Sequence, residues 1–198
     1  MLFSTLAVTA FSAVASAKTI RIDVGQGGLT FTPNDITAAV GDILEFHYHP
    51  KNHSVVAADF ATPCKPKAEG GFYSGFFPTT GTENSNVFQV EVNNTTPIWF
   101  YCSQSTGNHC GAGMVGAVNA NANKTLAEFK AAAEKASTNE SPKTGVFGGK
   151  VLAASSTSSG AATTTSGKPA AATTNAAAGL GVSGMAAAVV GAAVVFAL

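Results

Sequence analysis

Tyr101-Cys102-Ser103-Gln104-Ser105-Thr106-Gly107-Asn108-His109-Cys110-Gly111-Ala112-Gly113-Met114 is the stretch on which the reading of this chain turns. The apolar run before it, Pro97-Ile98-Trp99-Phe100-Tyr101, ends at Cys102, and the next apolar run begins near Met114. Cys102, His109, Cys110 and Met114 therefore share one loop between two adjacent strands. The whole chain has only three cysteines and four histidines, so this loop gathers much of its ligand-forming chemistry.

Working outward, residues 19–24 alternate apolar and polar side chains, as a half-buried strand does. Further β-rich runs cover 29–31, 36–40, 43–49, 54–58, 72–77, 87–92, 97–102 and 114–119. Turn signals at Gly41-Asp42, Pro50-Lys51-Asn52 and Asn93-Asn94 separate several of them. Short strands at this spacing predict an all-β fold, an antiparallel sandwich or barrel. Pro33 and Pro97 belong at strand starts or edges. One short C-terminal helix is expected over 126–136. Thr125 and Glu128 form its capping box, and Leu126, Phe129, Ala133 and Ala136 fall on one face, which closes off the sandwich.

Both ends are expected to be processed. Residues 2–14 are an apolar run and Ala15-Ser16-Ala17 a small-residue cleavage site, so 1–17 reads as a secretion signal and Lys18 as the mature N-terminus. That excludes copper monooxygenases that ligate through an N-terminal His. Residues 155–174 hold 11 Ser or Thr in 20 positions, too little large apolar surface to fold, so a linker over 137–175 reads as a disordered, O-glycosylated stalk. No charge follows Lys168, and 176–198 is apolar or small throughout. Small residues at Asn175-Ala176-Ala177 before that tail match a glycolipid (GPI) anchor signal, with attachment at Asn175. The expectation is an extracellular, cell-surface protein. Its folded domain spans 18–136, and it touches the plasma membrane or cell wall only through the glycolipid. Sequons place N-glycans at Asn93, Asn94, Asn123 and Asn139.

With 11 basic and 11 acidic residues the net charge is zero, so there is no basic face for nucleic acid. Four histidines are too few for a multicopper oxidase or a copper–zinc dismutase. Three cysteines in an oxidising compartment leave one unpaired, most simply one disulfide plus one thiol. Copper cycling between Cu(I) and Cu(II) wants a thiolate, imidazoles and a weak thioether, and the loop offers one of each. The second imidazole comes from elsewhere. His53, after the Pro50 turn at the end of the sandwich, is the first choice. His47 and His49, two apart on one strand face, are the alternatives.

The stretches Phe46-His47-Tyr48-His49-Pro50-Lys51-Asn52-His53-Ser54-Val55-Val56, Pro97-Ile98-Trp99-Phe100-Tyr101-Cys102-Ser103-Gln104 and His109-Cys110-Gly111-Ala112-Gly113-Met114-Val115-Gly116 resemble the cupredoxins. They are most similar to secreted fungal cupredoxin-like proteins with serine-rich tails, relatives in pattern of the plant phytocyanins. The resemblance covers about residues 18–136 and implies a Greek-key β-sandwich. It also implies a type 1 (blue) copper site with His53 and His109 as imidazole ligands, Cys102 as thiolate and Met114 as axial thioether. By the same resemblance Cys110 pairs with Cys64. Two departures stand out. The span from Cys102 to His109 exceeds the four-residue spacer of the plant proteins, which implies a looser loop. Ser54 stands where many blue-copper proteins have an Asn bracing the two ligand loops.

Four protein ligands leave no open position for substrate, and no Ser-His-Asp order, phosphate loop or HExxH motif occurs. The expected function is therefore not an enzyme's. It is that of a monomeric single-electron carrier or copper binder with an unidentified redox partner, which docks on an apolar patch at Gly107, Gly111, Gly113 and Phe76-Phe77. The rival is a surface structural or adhesion protein with this fold and weak or no copper binding. Copper capture for uptake would use the same ligands. For the anchor, a glycolipid-specific phospholipase should release the protein from cells with the tail after about Asn175 absent. An intact Phe196-Ala197-Leu198 terminus recovered from membranes would favour a tail helix instead.

Overall fold

The computed structural model describes residues 16–154. The signal peptide up to residue 15, the Ser/Thr-rich stalk from 155, the anchor site Asn175 and the tail 176–198 lie outside the described residues.

Among the described residues eleven strands and one helix follow in order: β1 Thr19–Val24, β2 Phe31–Thr32, β3 Asp35–Ile36, β4 Ile43–Tyr48, β5 Lys51–His53, β6 Val56–Ala58, β7 Phe77–Thr79, β8 Asn86–Glu91, β9 Ile98–Tyr101, β10 Val115–Val118, α1 Leu126–Ala133 and β11 Lys150–Ala153. One sheet has the order β11-β8-β4-β1-β2, the second β3-β10-β9-β6, and β5 pairs with β7 in a small ribbon. The chain passes from the first sheet to the second between β2 and β3, at Pro33-Asn34.

The sandwich is not purely antiparallel. β1 runs parallel to β4, with Thr19 opposite Ile43 and Val24 opposite Tyr48, and β3 runs parallel to β10. The crossing through β2 and β3 is the reason, because it brings the chain back to start β4 at the end where β1 starts. The run over 72–77 does not form a continuous strand either. Gly75 has φ of 72°, outside the extended region, and only Phe77 enters β7.

Alternation along the strands builds two clusters. Leu44, Phe46 and Tyr48 of β4 point inward. Phe46 meets Phe100 of β9 edge-on at 5.6 Å between ring centres, and Phe31 of β2 meets Phe100 at 4.9 Å. On β9 the parity splits. Phe100 and Cys102 belong to this inter-sheet core, whereas Trp99 and Tyr101 belong to a second cluster under the helix. The register of one strand thus aims Cys102 into the end of the main core.

α1 covers the second cluster. Thr125 caps it, accepting from the Glu128 amide at 3.2 Å while the Glu128 carboxylate accepts from the Thr125 amide at 3.1 Å. Phe129 and Ala133 are fully buried, with the Phe129 ring 5.0 Å from that of Trp99. The expected apolar face is present, and the helix ends three residues earlier than the pattern suggested.

The folded unit extends beyond residue 136. Residues 137–154, expected to begin the linker, return across the domain. Glu140 N–H donates to the Cys64 carbonyl at 2.9 Å, Phe147 and Tyr73 bond each other's backbones, and β11 pairs with β8 from Lys150 opposite Gln89 to Ala153 opposite Asn86. The side chains of β11 are all exposed, Val151 and Leu152 included, so the ladder and not apolar burial holds it, and its short Val151-Leu152-Ala153 run shows no alternation to mark it. A chain ending at 136 should be less stable than one ending at 154. The deficit should be on the order of 3–5 kcal/mol, at about 1 kcal/mol for each of the five side-chain hydrogen bonds that Asn139, Glu140 and Ser141 make with Tyr101, Cys102, Ser103 and Gln104. Equal urea midpoints for the two chains would show the return to be idle.

Candidate metal centre

Three strand ends meet at one end of the sandwich. His53 is the last residue of β5, Cys102 directly follows β9, and Met114 directly precedes β10. The Cys102 Sγ lies 3.4 Å from His109 Nδ1 and 3.9 Å from His53 Nδ1. The three candidate ligand atoms lie within 4.8 Å of one another, and the two imidazole rings sit 4.9 Å apart between centres. Metal bonds to imidazole and thiolate of roughly 2.0–2.3 Å fit separations of 3.4 and 3.9 Å. Cys102 is fully buried and is the free cysteine among the described residues. Met114 is also fully buried and shares a core cluster with Cys102.

The loop between Cys102 and Met114 is closed, not loose. His109 N–H donates to the Gln104 carbonyl at 3.0 Å, Met114 N–H to His109 at 2.9 Å and Cys102 N–H to Met114 at 3.1 Å. The extra residues fold into turns around Asn108, whose φ is 43°. Cys64 and Cys110 form a disulfide that closes 46 residues of sequence. It ties the loop beside His109 to the segment before β7 and stabilises by about 2–4 kcal/mol.

Ser54 does the bracing. Its amide donates to Cys102 Sγ at 3.4 Å, its hydroxyl accepts from the Ser103 amide at 3.0 Å, and the two hydroxyls lie 2.9 Å apart. A shorter side chain thus links the His53 and Cys102 segments, with a second serine supplying the reach.

Burial sets the protonation of the donors. It pulls the His109 pKa down to about 4, with smaller pushes from His53 and Lys51. Burial also lowers that of His53, against a hydrogen bond to Pro50. Both rings are therefore neutral near pH 7, with lone pairs free for a metal. The Cys102 thiol is raised by burial, partly offset by hydrogen bonds from Gln104 and Ser54. A cation at the site would favour its thiolate.

Gly25 was not singled out by the sequence. It has φ of 83°, and a methyl group there would overlap the His53 ring. The bare backbone after β1 is thus the seat of that imidazole. The turn-rich Gly25-Gln26-Gly27-Gly28 was visible in the sequence, but nothing local linked it to His53.

His47 and His49 lie elsewhere, His47 on the outer side of β4 and His49 just past its end. His47 Nδ1 is 2.6 Å from Glu83 and its Nε2 2.6 Å from Glu45. His49 Nε2 is 2.8 Å from Asp23 and its Nδ1 3.1 Å from the Thr82 carbonyl. All four ring nitrogens are occupied, so neither histidine offers one to Cys102. Asp23, His49 and Glu83 also bring ligand atoms within 4.8 Å of one another. Yet Arg21 Nη2 bonds both carboxylates, at 2.6 and 2.7 Å, and a guanidinium already fills the role of the cation.

The expected docking patch is reshaped. Phe76 is exposed, but Phe77 is buried and stacked on Tyr48 at 3.9 Å, and Gly113 faces Lys130 and Glu134 of α1. Asn93, Asn94 and Asn123 are exposed, whereas Asn139 is half-buried with its amide bonded to two carbonyls.

The plastocyanin-like domain family matches residues 30–114. A protein of Arthroderma benhamiae named "Probable GPI-anchored cupredoxin-1" is 38% identical over 139 residues, covering 69% of this chain and 70% of that one. The same fungus has an "Extracellular serine-rich protein" 33% identical over 150 residues, covering 74% of this chain and 58% of the relative's length. Among solved structures, auracyanin B is similar with a TM-score of 0.39 and 11% identity, covering 54% of this chain and 91% of that one.

Two measurements test the geometry. Gly25→Ala should displace His53, cost about 1–3 kcal/mol in backbone strain and weaken metal uptake, while His47→Ala leaves uptake unchanged; the reverse result would put the site on the outer face. NMR titration of metal-free protein should show His109 protonating near pH 4 and His53 below 6.5. The unfolded chain takes up these protons first, so stability should fall as pH drops from about 6.5 toward about 4. A His109 midpoint at or above 6.5 would contradict the burial argument.

Proposed function

The chain belongs to the plastocyanin-like (cupredoxin) family, and from that premise we propose that it is a cell-surface type 1 copper protein that carries single electrons. The observation that supports the reading best is the buried Cys102 thiol faced by two imidazole Nδ1 atoms at 3.4 and 3.9 Å. His53, His109 and Cys102 would hold the copper, with Met114 as axial thioether. When bound, copper supplies a one-electron couple.

The protein's own part is to hold the donors still and dry. The closed loop, the disulfide and the Ser54 brace fix the sulfur and both rings before any metal arrives, so little moves when an electron is gained or lost. His109, at 7% exposure, is the more accessible imidazole and the exit toward a partner. A redox partner of unidentified kind meets the surface beside Gly107 and His109. With four protein ligands the reading is of a carrier, not an enzyme. It is of a monomer held outside the cell by a glycolipid attached at Asn175, with glycans at Asn93 or Asn94 and at Asn123.

Protein refolded with Cu(II) should turn intensely blue or green through thiolate charge transfer. Cys102→Ser should abolish the colour. Met114→Leu should keep it and raise the reduction potential, because a weak axial donor to Cu(II) is lost. Colourless wild-type protein that takes up no copper when fully reduced and refolded would leave a structural surface protein as the better reading.

A further inference from the structure

The segment after α1 reaches the metal-side loop from behind. Asn139 Nδ2 donates to the Gln104 carbonyl at 2.8 Å and to the Cys102 carbonyl at 3.3 Å. Glu140 is held on both sides of this contact: its carbonyl accepts from the Tyr101 hydroxyl at 2.6 Å and its amide donates to Cys64 at 2.9 Å. Ser141 Oγ donates to Ser103 Oγ at 2.9 Å, Ser103 Oγ lies 2.9 Å from Ser54 Oγ, and Ser54 Oγ lies 3.9 Å from Cys102 Sγ. Ser54 and Ser103 are at most 1% exposed, so water does not compete at these two hydroxyls, and the half-buried Ser141 is the outer end of the row.

The row has a direction. When a metal holds Cys102 as thiolate, the sulfur has no proton to give, so the Ser54 hydroxyl would donate to it. The Ser54 oxygen would then accept from the Ser103 hydroxyl as well as from the Ser103 amide, and the Ser103 oxygen accepts from Ser141. Three hydroxyls aligned this way polarise one another toward the sulfur. Hydrogen bonding at a cysteine ligand tunes the potential of the metal it holds.

We propose that Asn139 and Ser141 are positioning residues for Cys102. Asn139 pins the carbonyls on either side of Ser103, and Ser141 heads the hydroxyl row that ends at the sulfur. The effect on a bound metal rests on the copper reading above; the hold on the Cys102 backbone does not. One consequence is chemical. Both hydrogens of the Asn139 amide are used, and a glycan would replace one of them and need space where the loop lies. The Asn139-Glu140-Ser141 sequon is therefore silent in the folded protein.

The tests separate the two parts. In copper-loaded protein, Ser141→Ala should lower the reduction potential and shift the thiolate band, and Ser141→Thr, which keeps a hydroxyl, should restore both. An unchanged potential and band in Ser141→Ala would overturn the hydroxyl row. In metal-free protein that retains the wild-type circular dichroism, Asn139→Ala should make Cys102 alkylate faster with iodoacetamide, and loaded protein should lose copper to a chelator about tenfold faster. Wild-type rates of alkylation in a folded variant would overturn the hold on the backbone. Should the wild type bind no copper, the alkylation rates still decide that hold, and only the copper reading falls. Peptide mapping of full-length protein secreted by a glycosylating host should find Asn139 bare. Folded protein with Asn139 largely glycosylated would overturn the proposal without reference to any metal.

Discussion

The contact between Ser54 and the Cys102–Ser103 segment ties together two parts of the chain that arrive by different routes. One comes off the ribbon of β5 and β7, the other off the end of β9 in the second sheet. An amide hydrogen bond to the sulfur and a hydroxyl shared with Ser103 join them at full burial. If they separated, the Cys102 thiol would lose a donor, the Ser103 amide would be left buried without a partner, and His53 and His109 would no longer face the same sulfur. A buried donor without an acceptor costs about 1–3 kcal/mol, so this junction holds by the penalty for breaking it as much as by its own bonds.

The four histidines show how surroundings decide chemistry. His53 and His109 lie among apolar groups where burial disfavours a positive charge, and both have lowered pKa values. His47 and His49 are just as buried but face carboxylates with both ring nitrogens engaged. For Asp23 and Glu83 burial works upward, yet hydrogen bonds from Arg21 and from His49 or His47 prevail and hold both carboxyls below their usual range. The first pair is suited to a metal. The second belongs to an ion-pair network that fastens the 82–84 segment to β1 and β4.

Rigidity around Cys102 comes from three independent restraints on one loop: the disulfide at Cys110, the backbone bonds that return Met114 to His109 and Cys102, and the segment carrying Asn139 and Ser141. The helix adds a fourth indirectly, since Gly113 packs against its Lys130 and Glu134. Such redundancy is what a centre that should not reorganise requires, because each restraint removes a different motion.

Much was legible in the sequence, and for identifiable reasons. Alternation and turn residues mark strands locally, the Thr125–Glu128 pair marks a helix start, and a thiol, an imidazole and a thioether on one inter-strand loop mark the chemistry. All of these are short-range patterns. The parallel pairing of β1 with β4, the seat of His53 on Gly25, the occupied nitrogens of His47 and His49, and the return of residues 137–154 are contacts between segments far apart in sequence. β11 went unmarked because its apolar Val151 and Leu152 stay exposed and its backbone does the pairing, and the Asn139 sequon carries no information about what its amide meets. The sequence by itself determined which donors exist and that they converge on one end of a β fold. Only the tertiary structure decided which histidines turn toward the sulfur and which segment stands behind it, because that choice depends on burial and partners that no neighbouring residue encodes.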